Sequence, residues 1–179
     1  MRRDDLWVFG YGSLMWHAGF PVAERSIATL ADHARSFCML SIHHRGTEAQ
    51  PGLVLALNPR PGFACTGVAL RAEAGSEDET LAYLRERELI SSAYHEQRLP
   101  IRLADGREVE AVAFVVDTDH EQYCGHLTPD EQAAMISRAR GGRGPNTEYL
   151  WNTVTHLHEL GIGDPELDWL ARRVRDLAL

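Results

Sequence analysis

The chain has 179 residues, 44% of them hydrophobic and 25% charged; that suits a single domain over residues 1–179, with a core large enough to need neither disulfides nor a structural metal. With 18 Lys and Arg against 26 Asp and Glu the formal net charge is −8, and no basic cluster interrupts it, which argues against nucleic acid and anionic membrane surfaces as partners. No apolar run approaches the roughly 20 residues that cross a bilayer, and Met1-Arg2-Arg3-Asp4-Asp5 opens without the apolar core of a signal peptide, so the expected location is the cytoplasm.

The first predicted element is a strand, Leu6–Phe9, which breaks at once into Gly10-Tyr11-Gly12-Ser13-Leu14-Met15. Two glycines around one tyrosine predict a sharp turn that uses left-handed backbone. Its amides would converge on one spot, an anion nest for a carboxylate or a phosphate; an ordinary tight turn is the competing reading. Ala34–Ile42, Leu53–Leu57 and Cys65–Arg71 read as further strands, the middle one bounded by Pro51-Gly52 and Asn58-Pro59. The polar segment His43–Gly52 reads as a mobile loop.

Ser76, with Glu79 three residues on, has the capping-box spacing and opens a helix to about Ile90, closed by Ser91-Ser92. Strands Tyr94–Leu103 and Glu108–Val116 follow, joined by Ala104-Asp105-Gly106, which has hairpin chemistry. Thr128-Pro129 caps a helix ending at Gly141-Gly142. Asn146 or Thr147 opens another to Leu160, with Gly161 as its stop, and Asp164-Pro165 opens the last. Strands first and helices last, without βαβ alternation, predict an α+β fold: a small mixed curved sheet or barrel with an inserted helix and a helical C-terminal region.

One acid sits where the helical pattern calls for an apolar residue. At 100° per residue, Leu81 and Leu84 share a face of the helix opened by Ser76, and Glu88 falls between their directions. Glu86 points nearly the opposite way, and Arg85, Glu86 and Arg87 read as a solvated face. A glutamate on an apolar stripe is costly to ionise. Desolvation raises its pKa and suits it to exchange protons near neutral pH. The alternative is a helix-end side chain reaching water, or pairing with Arg85 or Arg98.

Other features carry less. Cys38, Cys65 and Cys124 form no CxxC pair, so they read as reduced thiols packed as small apolar groups. His156 and His158, two apart on a helix, do not share a face, and none of the histidines has metal-ligand spacing; no metal and no cofactor is expected. Gly141-Gly142-Arg143-Gly144-Pro145 lacks the Lys-Ser/Thr ending of a phosphate loop and reads as a helix–helix connector. The Gly-x-Ser-x-Gly elbow of a serine hydrolase is missing.

Four ordered blocks resemble the ChaC-type, glutathione-specific branch of the γ-glutamylcyclotransferase-like superfamily: VFGYGSLMW at 8–16, HRGTEAQPGLVLAL at 44–57, YLRERELISSAY at 83–94 and GRGPNTEYLWNTVTHL at 142–157. The resemblance implies that fold over nearly the whole chain, Glu88 rather than Glu86 as catalytic acid–base, and Gly10, Tyr11, Gly12, Ser13, Leu14 and Met15 as the substrate loop. Tyr94 and Tyr149 match tyrosines expected near the γ-glutamyl pocket. The chain departs from the family pattern in the charged pair Arg85-Glu86, and in Ser91-Ser92-Ala93 where a glycine-rich turn is common. The implied reaction is cyclising cleavage of glutathione to 5-oxoproline and cysteinylglycine, without metal or cofactor. Two alternatives stay open: action on other γ-glutamyl amides, and a non-catalytic γ-glutamyl-binding protein of the same fold.

Overall fold

A computed structural model of the chain describes residues 5–89 and 92–178. Five strands, β1 (Trp7–Gly10), β2 (Val22–Ser41), β3 (Gly52–Ala72), β4 (Tyr94–Leu103) and β5 (Glu108–Val116), close into a barrel in the order β1-β3-β2-β4-β5. The pairing is mixed. β1 runs antiparallel to β3, from Trp7↔Arg71 to Gly10↔Val68, and parallel to β5 at Trp7↔Ala111 and Val8↔Val112. β4 and β5 form an antiparallel hairpin from Tyr94↔Val116 to Arg102↔Glu108, and β3 meets β5 in parallel at Leu57↔Val115. Gly106, at φ 94°, turns that hairpin, its amide donating to the Leu103 carbonyl at 2.9 Å.

The two faces of β1 go to different cores. Trp7 and Phe9 join a cluster fed by all five strands, with Ala28, Leu30, Leu57, Ile101 and Val115, which fills the barrel. Leu6 and Val8 point the other way, into a layer containing Val112, Phe114 and Leu84 of helix α1 (Glu77–Glu88). A strand buried on both faces carries an unbroken apolar run, which is why Leu-Trp-Val-Phe shows no alternation.

The chain divides into two compact units, Met1–Arg35 with Leu57–His120, and Ser36–Ala56 with Glu121–Leu179. The second contains helices α2 (Pro129–Arg138), α3 (Asn146–Glu159) and α4 (Pro165–Leu177). Their starts follow the sequence signals. Thr128 Oγ1 accepts from the Glu131 amide at 3.2 Å and Asp164 Oδ1 from Leu167 at 3.1 Å, each ahead of a proline in the first turn. Cys38 and Cys124 are buried here, and desolvation pushes their thiols up to about 12 and about 11. Cys65 is buried in the first unit, where its sulfur accepts from Arg35 Nη2 at 3.4 Å. Among the described residues no helix is long and apolar enough to cross a membrane.

Four local expectations change. The segments 53–57 and 65–71 are one strand: β3 continues through Pro59 and Pro61, in a stretch exposed at 59 and 61–64, where a missing ladder donor is tolerated. β2 begins twelve residues before Ala34, at Val22. Ser76 makes no side-chain cap; its hydroxyl donates backwards to the Glu73 carbonyl at 2.7 Å instead. Helix α2 stops at Arg138, because Arg140–Gly141 (β6) pairs with Gly144–Pro145 (β7). The predicted helix end at Ile90-Ser91 lies outside the described residues. Ser92, within the stretch where the resemblance makes a glycine-rich turn common, sits at φ 58°, a conformation that favours glycine.

Candidate active site

The turn after β1 is built differently from the expected left-handed glycine turn. Gly10 ends the strand, Gly12 has φ −136°, and Ser13–Met15 form one turn of 3-10 helix, closed by Met15 N–H donating to the Gly12 carbonyl at 2.9 Å. Close packing rather than positive φ makes Gly10 a glycine: a Cβ there would lie 3.2 Å from Leu14 Cβ and 3.3 Å from Met15 N. At Gly12 a Cβ would meet nothing within 4 Å. The backbone there borders open space. The amides of Gly12, Ser13 and Leu14 stand at the start of a short helix, where backbone donors lack intrahelical partners. Donors beside open space are what an anionic group needs.

The turn is anchored from three sides. Leu14 and Met15 are buried, and Leu14 packs in the layer that holds Leu84. From β2, Arg25 Nη1 donates to the Met15 carbonyl at 2.8 Å. From α1, Arg87 Nη2 donates to Ser13 Oγ at 2.6 Å and Nη1 to the His17 carbonyl at 3.1 Å.

Helix α1 places Glu88 as the periodicity predicts. Leu84 is fully buried, Leu81 and Leu89 pack against the same layer, and Glu86 is exposed. The Glu88 side chain is 18% exposed and lies 3.5 Å from Arg87 Nε. Burial raises its pKa above the ordinary carboxylate value, and the Arg87 charge opposes that rise only in part. The alternative partners are committed elsewhere: Arg85 makes a two-bond pair with Glu96, at 2.7 and 3.0 Å, and Arg98 lies 4.0 Å from Glu110. A half-buried acid whose pKa is raised by desolvation binds a proton more tightly than a carboxylate in water.

Tyr94, at the start of β4, is partly buried against the layer that contains Leu14 and Leu84. In the first unit, Leu14, Leu84 and Tyr94 share one layer and Arg87 bonds Ser13, whereas Tyr11 packs against the cluster inside the barrel. Tyr149 belongs to the second. Its hydroxyl accepts from the Leu55 amide at 3.2 Å, its ring meets Phe37 edge-on at 5.8 Å, and the Arg45 guanidinium lies 5.6 Å from the ring centroid. Arg45 also donates to the Pro145 carbonyl at 3.1 Å. The segment 43–52 that carries it is pinned by backbone bonds, Gly142 N–H to the His43 carbonyl at 2.7 Å and Arg143 N–H to the His44 carbonyl at 2.8 Å.

Two residues of importance escaped the sequence reading. Arg87, assigned to a solvated face, is 23% exposed and reaches Ser13, His17 and Tyr83; its four-residue spacing from Tyr83 was the available signal. Asn146, read only as a helix start, is fully buried. Its amide pairs both ways with the Leu53 backbone, accepting at 2.8 Å and donating at 2.9 Å. The histidines have separate partners: His156 lies 3.4 Å from Glu159 and His158 2.9 Å from Asp168.

A family model described as ChaC-like protein matches residues 6–177. The glutathione-specific gamma-glutamylcyclotransferase of Escherichia coli (strain K12) is 36% identical over 178 residues, 98% of this chain and 76% of that protein. The glutathione-specific gamma-glutamylcyclotransferase of Schizosaccharomyces pombe is 32% identical over 176 residues, covering 88% of this chain and 85% of its own. Among solved structures, a gamma-glutamyl cyclotransferase specific to glutathione from yeast superposes with a TM-score of 0.84 at 24% identity, over 96% of each chain. At that identity the likeness speaks for the fold.

Proposed function

The chain belongs to the ChaC-like protein family, and from that membership we propose that it is a glutathione-specific gamma-glutamylcyclotransferase in which Glu88 is the acid–base and the Gly10–Met15 turn holds the γ-glutamyl group. The reaction cleaves glutathione to 5-oxoproline and cysteinylglycine. The substrate's α-amino nitrogen attacks its own γ-carbonyl carbon. A ring C–N bond forms, the amide C–N bond to cysteine breaks, and no water is consumed.

Such a reaction asks two things of a protein. The first is geometry: a flexible γ-glutamyl chain must be held with amine and carbonyl in contact, and fixing reacting atoms that way lowers a barrier by about 7–11 kcal/mol. The Gly12, Ser13 and Leu14 amides would grip the α-carboxylate and fix that fold. The second is a proton relay. The α-ammonium must lose a proton to become a nucleophile, and the departing cysteinyl nitrogen must gain one. Glu88 takes the first proton and returns it to the leaving nitrogen.

The observation that carries this reading is the desolvated Glu88 carboxyl, on a helix hydrogen-bonded to the donor-rich turn. Burial makes the carboxylate a stronger base than one in water, as proton abstraction requires. Glu88→Gln keeps the shape and removes the titrating group. With purified proteins and glutathione, 5-oxoproline release should fall by roughly 10²–10⁴ while the folded state persists. Parental turnover by Glu88→Gln would refute the assignment. Parallel assays with γ-glutamyl dipeptides and γ-glutamylamines test the substrate: rates matching that on glutathione would remove the glutathione specificity.

A further inference from the structure

Arginines at 85 and 87 are two residues apart on one helix, yet they do different things. Arg85 is exposed and spends its guanidinium on Glu96 of β4. Arg87 turns inward. Nη2 donates to Ser13 Oγ at 2.6 Å, Nη1 to the His17 carbonyl at 3.1 Å and to the Tyr83 hydroxyl at 3.2 Å, and Nε lies 3.5 Å from Glu88 Oε1. Every guanidinium nitrogen thus has a protein partner. Three of its five N–H donors are bonded to protein groups, both on Nη1 and one on Nη2, and Nε faces Glu88, so the guanidinium is committed mainly to holding the protein together.

We propose that Arg87 is a positioning residue for the cyclisation, locking the Ser13 hydroxyl and the turn around it to the helix that carries Glu88. The proposal rests on the reading of Glu88 and the turn given above. Its logic is geometric. A cyclisation succeeds only when the gripped carboxylate, the amine and the base keep their separations, and an ångström of slack costs orders of magnitude in rate. The turn is a single 3-10 helical turn and α1 begins more than sixty residues later in the chain. Apolar packing of Leu14 near Leu84 sets their distance but not their direction, because apolar contact is non-directional. A rigid guanidinium fork supplies the direction. It also orients Ser13: the Ser13 oxygen accepts a charge-assisted bond from Arg87, which leaves its O–H available as a donor.

The test is a double-mutant cycle on the full chain: parent, Arg87→Lys, Ser13→Ala and the pair, each assayed for kcat and KM on glutathione and melted by circular dichroism. Lysine keeps the charge but, as a point donor on a flexible stem, cannot hold Ser13, His17 and Tyr83 together. Arg87→Lys should lose roughly 10- to 100-fold in kcat/KM, with a parental melt. The pair should be within about twofold of the worse single variant, because one residue acts through the other. Losses that multiply in the pair, or an Arg87→Lys enzyme within about twofold of the parent, overturn the proposal. If Arg87→Lys does not fold, Ser13→Ala decides alone: it removes one exposed hydroxyl, and parental kcat/KM in it is a refutation. Calorimetric titration of glutathione into Glu88→Gln, with and without Arg87→Lys, separates this idea from the acid–base reading. An active Glu88→Gln defeats that reading, whereas unchanged glutathione affinity on adding Arg87→Lys defeats this one.

Discussion

Replacing Asn146 with alanine should destabilise the second unit more than any other single truncation of a helix-start residue in this chain. The Asn146 side-chain amide does for Leu53 what a neighbouring strand would do, accepting from its N–H at 2.8 Å and donating to its carbonyl at 2.9 Å. Both residues are fully buried, so water cannot take over either bond. Alanine leaves one backbone donor and one acceptor without these partners. At about 1–3 kcal/mol for each stranded group the loss is about 2–6 kcal/mol. A mid-range loss of about 4 kcal/mol lowers the melting point of a chain this size by roughly 8–16 °C.

Asn146→Asp separates hydrogen bonding from volume. It keeps the shape and the acceptor, but at neutral pH it sets a buried carboxylate oxygen against the Leu53 carbonyl. Burial raises that new carboxyl's folded pKa above its unfolded one, so the native state binds the extra proton more tightly. Stability is then regained as pH falls through the folded pKa, where the protonated acid can donate to Leu53. Urea unfolding of parent and both variants, at neutral and acidic pH, measures this. An Asn146→Ala protein within about 0.5 kcal/mol of the parent, or an Asn146→Asp protein equal to the parent at neutral pH, would refute the reasoning.

Glu88 itself carries a stability cost. Its folded pKa is raised by burial, so the native state favours the protonated form. The site's contribution is fully present below the unfolded carboxylate pKa and is lost as pH rises through the folded one. Glu88→Gln should therefore be more stable than the parent at neutral pH, with the gap closing in acid; a variant less stable at neutral pH, by thermal melts across pH, contradicts the burial argument. The glycines around the turn should divide by what a methyl would meet. In Gly67→Ala the new Cβ collides with the Gly10 carbonyl oxygen and lies 2.9 Å from Phe9 Cζ, an overpacking cost of about 1–3 kcal/mol, and turnover should fall with the melting point. In Gly12→Ala the methyl enters open space, so the melt should hold while KM for glutathione rises; an unchanged KM would remove Gly12 from the binding surface.

Much of this was legible along the chain. The β4 and β5 boundaries, the Thr128-Pro129 and Asp164-Pro165 caps and the α3 stop at Gly161 depend on turn and capping chemistry, which acts within a few residues. The placement of Glu88 on the half-buried side of α1 followed from the 3.6-residue repeat of one helix. The long strands β2 and β3 were harder to read, because proline and polar residues at 58–63 look like a boundary until it is known that this stretch is exposed.

What periodicity could not decide was where the charges went. Arg85 and Arg87 look alike in sequence; only the turn beside α1 gives Arg87 partners from Ser13 and His17 and leaves Arg85 to a strand. Asn146 looks like any helix opener until a buried backbone lies against it. The sequence by itself determined the local elements, the family-like blocks and the position of the acid, since each depends on short spacings. Tertiary structure alone decided how the turn is shaped, how it is tied to the acid and how Glu88 is desolvated, because those depend on groups that folding brings together from distant parts of the chain.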